Sequence, residues 1–211
     1  MLNRVLPLVV CLAVLHSAAA APGQVPPQAA ELAPAGVEYS RQPDELVLVY
    51  DRQPGELGER DGVPRLRLYG DGRLLVHVPR YWRGAGDYEL RLPPAELDRL
   101  LVFVAERLAF FDEARVEKAR SRLLAAHREK GGELRYSSDP TLTRIEVRLD
   151  GLRQAGPMAP TIRPLVRHVQ WLDLAEEARI YSELPGLAKL AEVAERLQVL
   201  TEDPRLERLV P

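Results

Sequence analysis

Residues 65–78 read RLRLYGDGRLLVHV, and no other stretch limits the possible folds so tightly. Leu66 and Leu68 alternate with Arg65 and Arg67, the period-two spacing of a strand with one buried face. Extended character resumes from Arg73 to Val78 after Gly70-Asp71-Gly72. Asp-Gly between two apolar runs predicts a tight hairpin, because such a turn needs a positive φ that Gly adopts freely. Two further strands flank this unit: Glu45 to Tyr50 (ELVLVY) before it, and Tyr88 to Leu92 (YELRL) after it. Four strands in a row predict an antiparallel meander with one face on a core.

The period then changes. Pro93-Pro94 ends the last strand and suits the first turn of a helix. Leu97, Leu100, Leu101, Val104 and Leu108 follow at helical spacing, and Phe110-Phe111 marks the end. Full burial of five such side chains, at about 1.5–3 kcal/mol each, would hold this helix on the sheet. Residues 112–130 predict a second, highly charged helix whose apolar stripe is only Val116, Ala119, Leu123 and Ala126. A strand is expected over Thr141–Leu149, where Thr143, Ile145, Val147 and Leu149 share a face. Residues 152–164, with three Pro, are expected to be irregular. Helices are expected over about 172–183 and 185–201, the second carrying Leu187, Leu190, Val193, Leu197 and Leu200. Strands in a run followed by helices predict an α+β fold: an antiparallel meander sheet with helices packed on one face and a helical C-terminus.

The ends of the chain read differently. Arg4, the apolar run Leu6–Leu15 and the small residues Ser17 to Ala21 have the layout of a secretory signal peptide spanning residues 1–20. A run of ten falls well short of the ~20 apolar residues that a membrane span requires. The single Cys, Cys11, lies inside that run, so the processed chain is expected to lack disulfides, thiol chemistry and Cys-ligated zinc. Residues 21–43 are expected to be a Pro- and Ala-rich leader, residues 44–203 a single α+β domain, and residues 204–211 a frayed tail. An exported protein, periplasmic or secreted and without a membrane span in its mature form, is the expectation.

Composition narrows the chemistry. With 29 basic and 31 acidic residues there is no cationic excess for general nucleic-acid binding. The mature chain has no G-x-S-x-G, S-x-x-K, P-loop, G-x-G-x-x-G or H-E-x-x-H. Neither a catalytic residue, a metal nor a cofactor is therefore assigned. A metal-dependent ligand binder or enzyme is the alternative reading. It would use His77, His168 and the acidic loop 51–63, which carries Asp51, Glu56, Glu59 and Asp61, with His127 as the remaining imidazole.

Two surfaces are candidates for contact. Strand alternation sends Arg65, Arg67, His77, Glu89, Arg91, Arg144, Glu146 and Arg148 away from the core. Such a face is either a solubilising array of ion pairs or a cationic patch for an acidic partner or glycan. The loop over residues 80–88 (RYWRGAGDY) places Tyr81, Trp82 and Arg83 beside Gly84 and Gly86. Tyr, Trp and Arg are the types enriched at binding hot spots. Exposed, these three would contact a partner; folded back, they would cap an open end of the core.

Residues Leu68–Arg73 (LYGDGR) and Leu92–Phe111, with its LPPAELDRLL opening and FF close, resemble a group of bacterial exported proteins and lipoproteins. A strand like Arg144–Gly151 and a final Leu-rich helix extend the resemblance over about residues 44–200. It implies the architecture and is mute about activity. The order of elements is also similar to that of the emfourin-like proteins, small inhibitors of thermolysin-like metalloproteases. Their Gly-Gly after the first strand is absent here, where Tyr50 precedes Asp51-Arg52-Gln53-Pro54-Gly55, and helix 112–130 is an addition. No inhibitory residue carries over. The expectation is a protein-binding or protease-inhibitor-like module whose partner is an envelope or secreted protein.

Overall fold

The computed structural model describes residues 35–53, 62–131, 140–156 and 160–210. The expected signal peptide with Cys11, most of the expected leader, loop residues 54–61 and Gly132 to Asp139 lie outside these described residues. The elements run β1 (Gly36–Glu38), β2 (Leu46–Gln53), β3 (Leu66–Tyr69), β4 (Arg73–Val78), β5 (Gly86–Arg91), α1 (Pro94–Leu108), α2 (Glu113–Glu129), β6 (Leu142–Leu149), β7 (Gly151–Arg153), β8 (Thr161–Ile162), β9 (Leu165–Leu172), α3 (Leu174–Ile180), α4 (Leu187–Leu200) and β10 (Glu207–Arg208).

Seven strands form one antiparallel sheet in the order β10-β5-β4-β3-β2-β6-β9, and β1-β7-β8 form a second, small one. The β2–β5 meander is the centre of the large sheet, as the alternation of leucines and arginines requires. Register places Leu48 opposite Leu68 and Val147, and Tyr50 opposite Leu66 and Ile145. With Leu74, Val76 and Leu90 these side chains form the buried face. Leu97, Leu100, Leu101, Val104 and Leu108 of α1 and Leu187, Leu190, Val193, Leu197 and Leu200 of α4 belong to the same core. The fold is α+β. Among the described residues no helix is long and apolar enough to cross a membrane.

Four expectations are corrected. The end of the leader is not featureless: Gly36–Glu38 pairs with β7, and the Tyr39 hydroxyl donates to Asp98 Oδ1 at 2.5 Å. Residues 152–164 carry β8 and the end of β7, and they lead into β9, a full eight-residue strand on the far edge of β6. The segment that follows β9 makes only the short helix α3, because β9 uses residues up to Leu172. The tail does not fray: Glu207 and Arg208 add a strand to the β5 edge, and the Leu209 N–H donates to the Asp87 carbonyl at 2.8 Å. For β1, β8, β9 and β10 a backbone edge elsewhere in the fold accepts the hydrogen bonds that a loop or tail would otherwise give to water.

Candidate functional site

Tyr81, Trp82 and Arg83 lie in the loop joining β4 to β5, and all three are exposed. Tyr81 keeps 40% and Trp82 51% of its surface in solvent. The loop is nonetheless braced. The Trp82 N–H donates to the Pro79 carbonyl at 2.9 Å, and the Ala85 N–H to the Trp82 carbonyl at 3.1 Å. The Tyr88 hydroxyl donates to the Gly84 carbonyl at 2.7 Å, and Arg208 of the C-terminal strand to the Ala85 carbonyl at 2.8 Å.

Beneath the loop sits Arg65, its guanidinium carbon 4.4 Å from the centre of the Trp82 ring. A cation in that position over an indole is worth about 0.5–2 kcal/mol. Strand alternation predicts Arg65 on a solvated face, but the residue is only 6% exposed. That expectation fails because the loop, seventeen residues onward, folds over it. Burial pulls the Arg65 pKa below its ordinary value, against the opposing charges of Tyr50, Asp51 and Tyr81. Its Nη1 is buried with no hydrogen-bond partner, as is Nε of neighbouring Arg67. The one buried carboxylate among the described residues, Asp51, does not pair with Arg65's side chain. Asp51 Oδ1 accepts from the backbone N–H of Arg52 at 3.0 Å and of Arg65 at 3.2 Å, and Oδ2 accepts from Gln53 Nε2 at 2.7 Å. It is a clasp between β2 and the start of β3, so this member of the predicted acidic loop is committed to structure; Glu56, Glu59 and Asp61 lie outside the described residues.

The imidazoles do not converge. His77 on β4 faces Asp87 on β5, Nδ1 to Oδ1 at 2.8 Å. His168 on β9 lies 3.0 Å from Glu146 and 2.9 Å from Gln170. Three strands separate β4 from β9, which at ~4.8 Å per strand places the two rings about 19 Å apart. His127 is on α2, away from both strands in the chain. Among the described residues no group of three or more His, Cys, Asp or Glu is arranged to hold a metal ion.

Part of the remaining outer face is internally paired. Arg91 meets Asp71 at 2.9 Å, and Arg144 and His168 both meet Glu146. Burial would raise the Glu146 pKa, but the hydrogen bonds and charges of Arg144 and His168 outweigh it and hold the carboxyl below its ordinary value. Charges so engaged fit the solubilising array. In the loop, Arg83 is exposed and has no ion pair among the described residues.

Sequence reasoning finds the three loop residues by type. It misses Arg65, whose role depends on a contact between elements that no local pattern encodes. Comparison with family models, curated proteins and solved structures returns no match.

Proposed function

We propose that this chain is an exported binding module, inhibitor-like in its mode of action, which holds another protein at the Tyr81-Trp82-Arg83 loop. One observation carries the reading: Trp82 is half exposed, yet its ring is seated on a buried guanidinium. A surface indole normally gives up rotamer freedom when a partner lands on it. Here cation–π stacking and four backbone-directed hydrogen bonds supply that order beforehand, which lowers the entropic cost of association. The partner's contact patch is expected to be apolar with carboxylates at its rim, because Arg83 is exposed and has no ion pair among the described residues. The N-terminal twenty residues support an envelope or secreted protein as the partner.

Benzoylphenylalanine placed at position 83 and irradiated in producing cells tests the reading. A discrete adduct is expected, and it should vanish in the Tyr81→Ala/Trp82→Ala background. Adducts that persist unchanged in that background, or none at all, would discard the loop as the contact.

A further inference from the structure

A second site lies away from the loop. Tyr50 and Arg52 of β2, Thr143 of β6, α3 and α4 enclose a cleft of about 640 Å³, a size suited to a small ligand. It exists because the buried side of the sheet changes character toward one end. Along β2 the side chains on that side run Leu48, Tyr50, Arg52; along β6 they run Val147, Ile145, Thr143. The leucines of α4 pack over the apolar part, and Ala191, Ala194 and Val199 leave a shallow wall beside the polar part.

The polar end of the cleft carries two buried side chains, of which Tyr50 is satisfied within the protein and Thr143 points to a ligand. Tyr50 is 2% exposed, and its hydroxyl reaches Gln198 Oε1 at 3.2 Å. Thr143 is 7% exposed and lines the cleft, and its hydroxyl has no hydrogen-bond partner among the described residues. A hydroxyl so placed is normally satisfied by protein, water or a bound group. Glu176 and Glu195 line the same cleft from α3 and α4 against the single cation Arg52. Glu176 has only a weak exposed contact with Arg179 at 3.7 Å, and Glu195 has no ion pair among the described residues. Asp173, also lining, is already occupied by the Thr141 N–H at 2.8 Å. On the apolar side Val199 is 56% exposed, on the face of α4 away from its buried leucines.

We infer that this cleft binds a small alkylammonium group. The aliphatic body lies against Ala194 and Val199, the ammonium meets the Glu176 and Glu195 carboxylates, and the Thr143 hydroxyl accepts one of its protons. The inference does not depend on the loop's role in protein binding.

Titration of the isotope-labelled full-length chain with hexylamine, hexanoate and hexanol, followed by amide chemical shifts, tests it. Acetyl-lysine methylamide serves as a fourth probe, to tell a free amine from a lysine on a peptide; the tighter of the two identifies the source. Hexylamine should give saturable shifts around 141–143, 173–176 and 191–199. Hexanoate and hexanol should bind at least about tenfold more weakly, since only the ammonium gains the carboxylates. Glu176→Gln/Glu195→Gln should weaken hexylamine about fivefold without changing the fold, as exposed charges can be removed at little structural cost. Ala194→Trp should block binding by filling the cleft. Equal saturation by hexanoate or hexanol, shifts scattered over the surface, or no saturation with either amine would each overturn the inference.

Discussion

At the residue scale, the Gly-Asp-Gly turn shows two glycines required for different reasons. Gly72 has φ +88°, and a Cβ there would lie 2.5 Å from the Leu92 carbonyl oxygen. Gly70 is in ordinary φ territory, yet a Cβ would lie 1.8 Å from the carbonyl oxygen of Ser40, which crosses directly over the hairpin. The first requirement is local turn geometry; the second is a close approach of distant backbone. Asp71 between them is held below its ordinary pKa. Burial would raise it, but the Arg73 N–H and the Arg91 guanidinium outweigh that effect. Gly72→Ala should cost about 2–4 kcal/mol in urea unfolding, combining left-handed strain with a clash against immovable backbone. Gly131→Ala is the control. It also sits at positive φ, +73°, but in open space, so only the strain of about 1 kcal/mol remains. Equal losses at both positions would show that packing at Leu92 contributes nothing.

At the element scale, α2 is the least anchored long helix. Of its seventeen residues only Val116 is fully buried, with Ala119 and Leu123 partly packed. Two polar devices compensate. The Asp112 carboxylate caps the helix by accepting from the Arg115 N–H at 3.0 Å. Arg120 forks onto Glu177 of α3, with Nε and Nη2 at 2.6 and 2.8 Å from the two carboxylate oxygens. Those hydrogen bonds, foremost among the influences on it, push the Arg120 pKa above its ordinary value. A two-point pair of this kind holds orientation as well as position. Glu177→Ala should therefore raise hydrogen exchange over Glu113–Glu129 about fivefold, or ~1 kcal/mol, while amides of the central strands keep their protection. Uniform loss across the molecule would instead mean that α2 opens only by global unfolding.

At the scale of the whole molecule, the C-terminal segment acts as a strap. After α4 the chain returns to the β5 edge, and Arg205 on the way binds two acidic groups. Its guanidinium reaches Glu96 Oε2 and Oε1 at 3.0 and 2.8 Å and Asp203 Oδ2 at 2.8 Å. These hydrogen bonds are the first cause of the lowered pKa values of Glu96 and Asp203, whose ordinary values are 4.5 and 3.8. A carboxyl with a depressed folded pKa adds stability that is present above its unfolded value and lost as pH falls through the folded one. The melting temperature of the parent protein should thus fall below about pH 4.5, and the fall should be shallower in Arg205→Ala. The two curves should differ at neutral pH and meet near about pH 2, where both carboxyls are protonated in either state. Parallel curves over the whole range would remove the strap from the account of acid stability. The same strap supplies Arg208 to the loop carrying Trp82, so the tail also shapes the proposed contact surface.

The sequence by itself determined the β2–β5 meander, α1, β6 and the apolar stripe of α4, because period-two and period-3.6 spacings are local properties that the burial of one face enforces. It also singled out Tyr81, Trp82 and Arg83 by residue type. Tertiary structure alone decided the rest. β9 has apolar side chains on both faces, Val166 and Leu172 outward and Leu165, Val169 and Trp171 inward, so its strand character comes from pairing along the whole length of β6 rather than from pattern. β1, β8 and β10 are too short for any period and exist only because an unpaired edge was waiting for them. Arg65 became a buried support and Thr143 a cleft hydroxyl through contacts between segments far apart in the chain. Side-chain spacing reports which face is buried; it carries no information about what lies against that face.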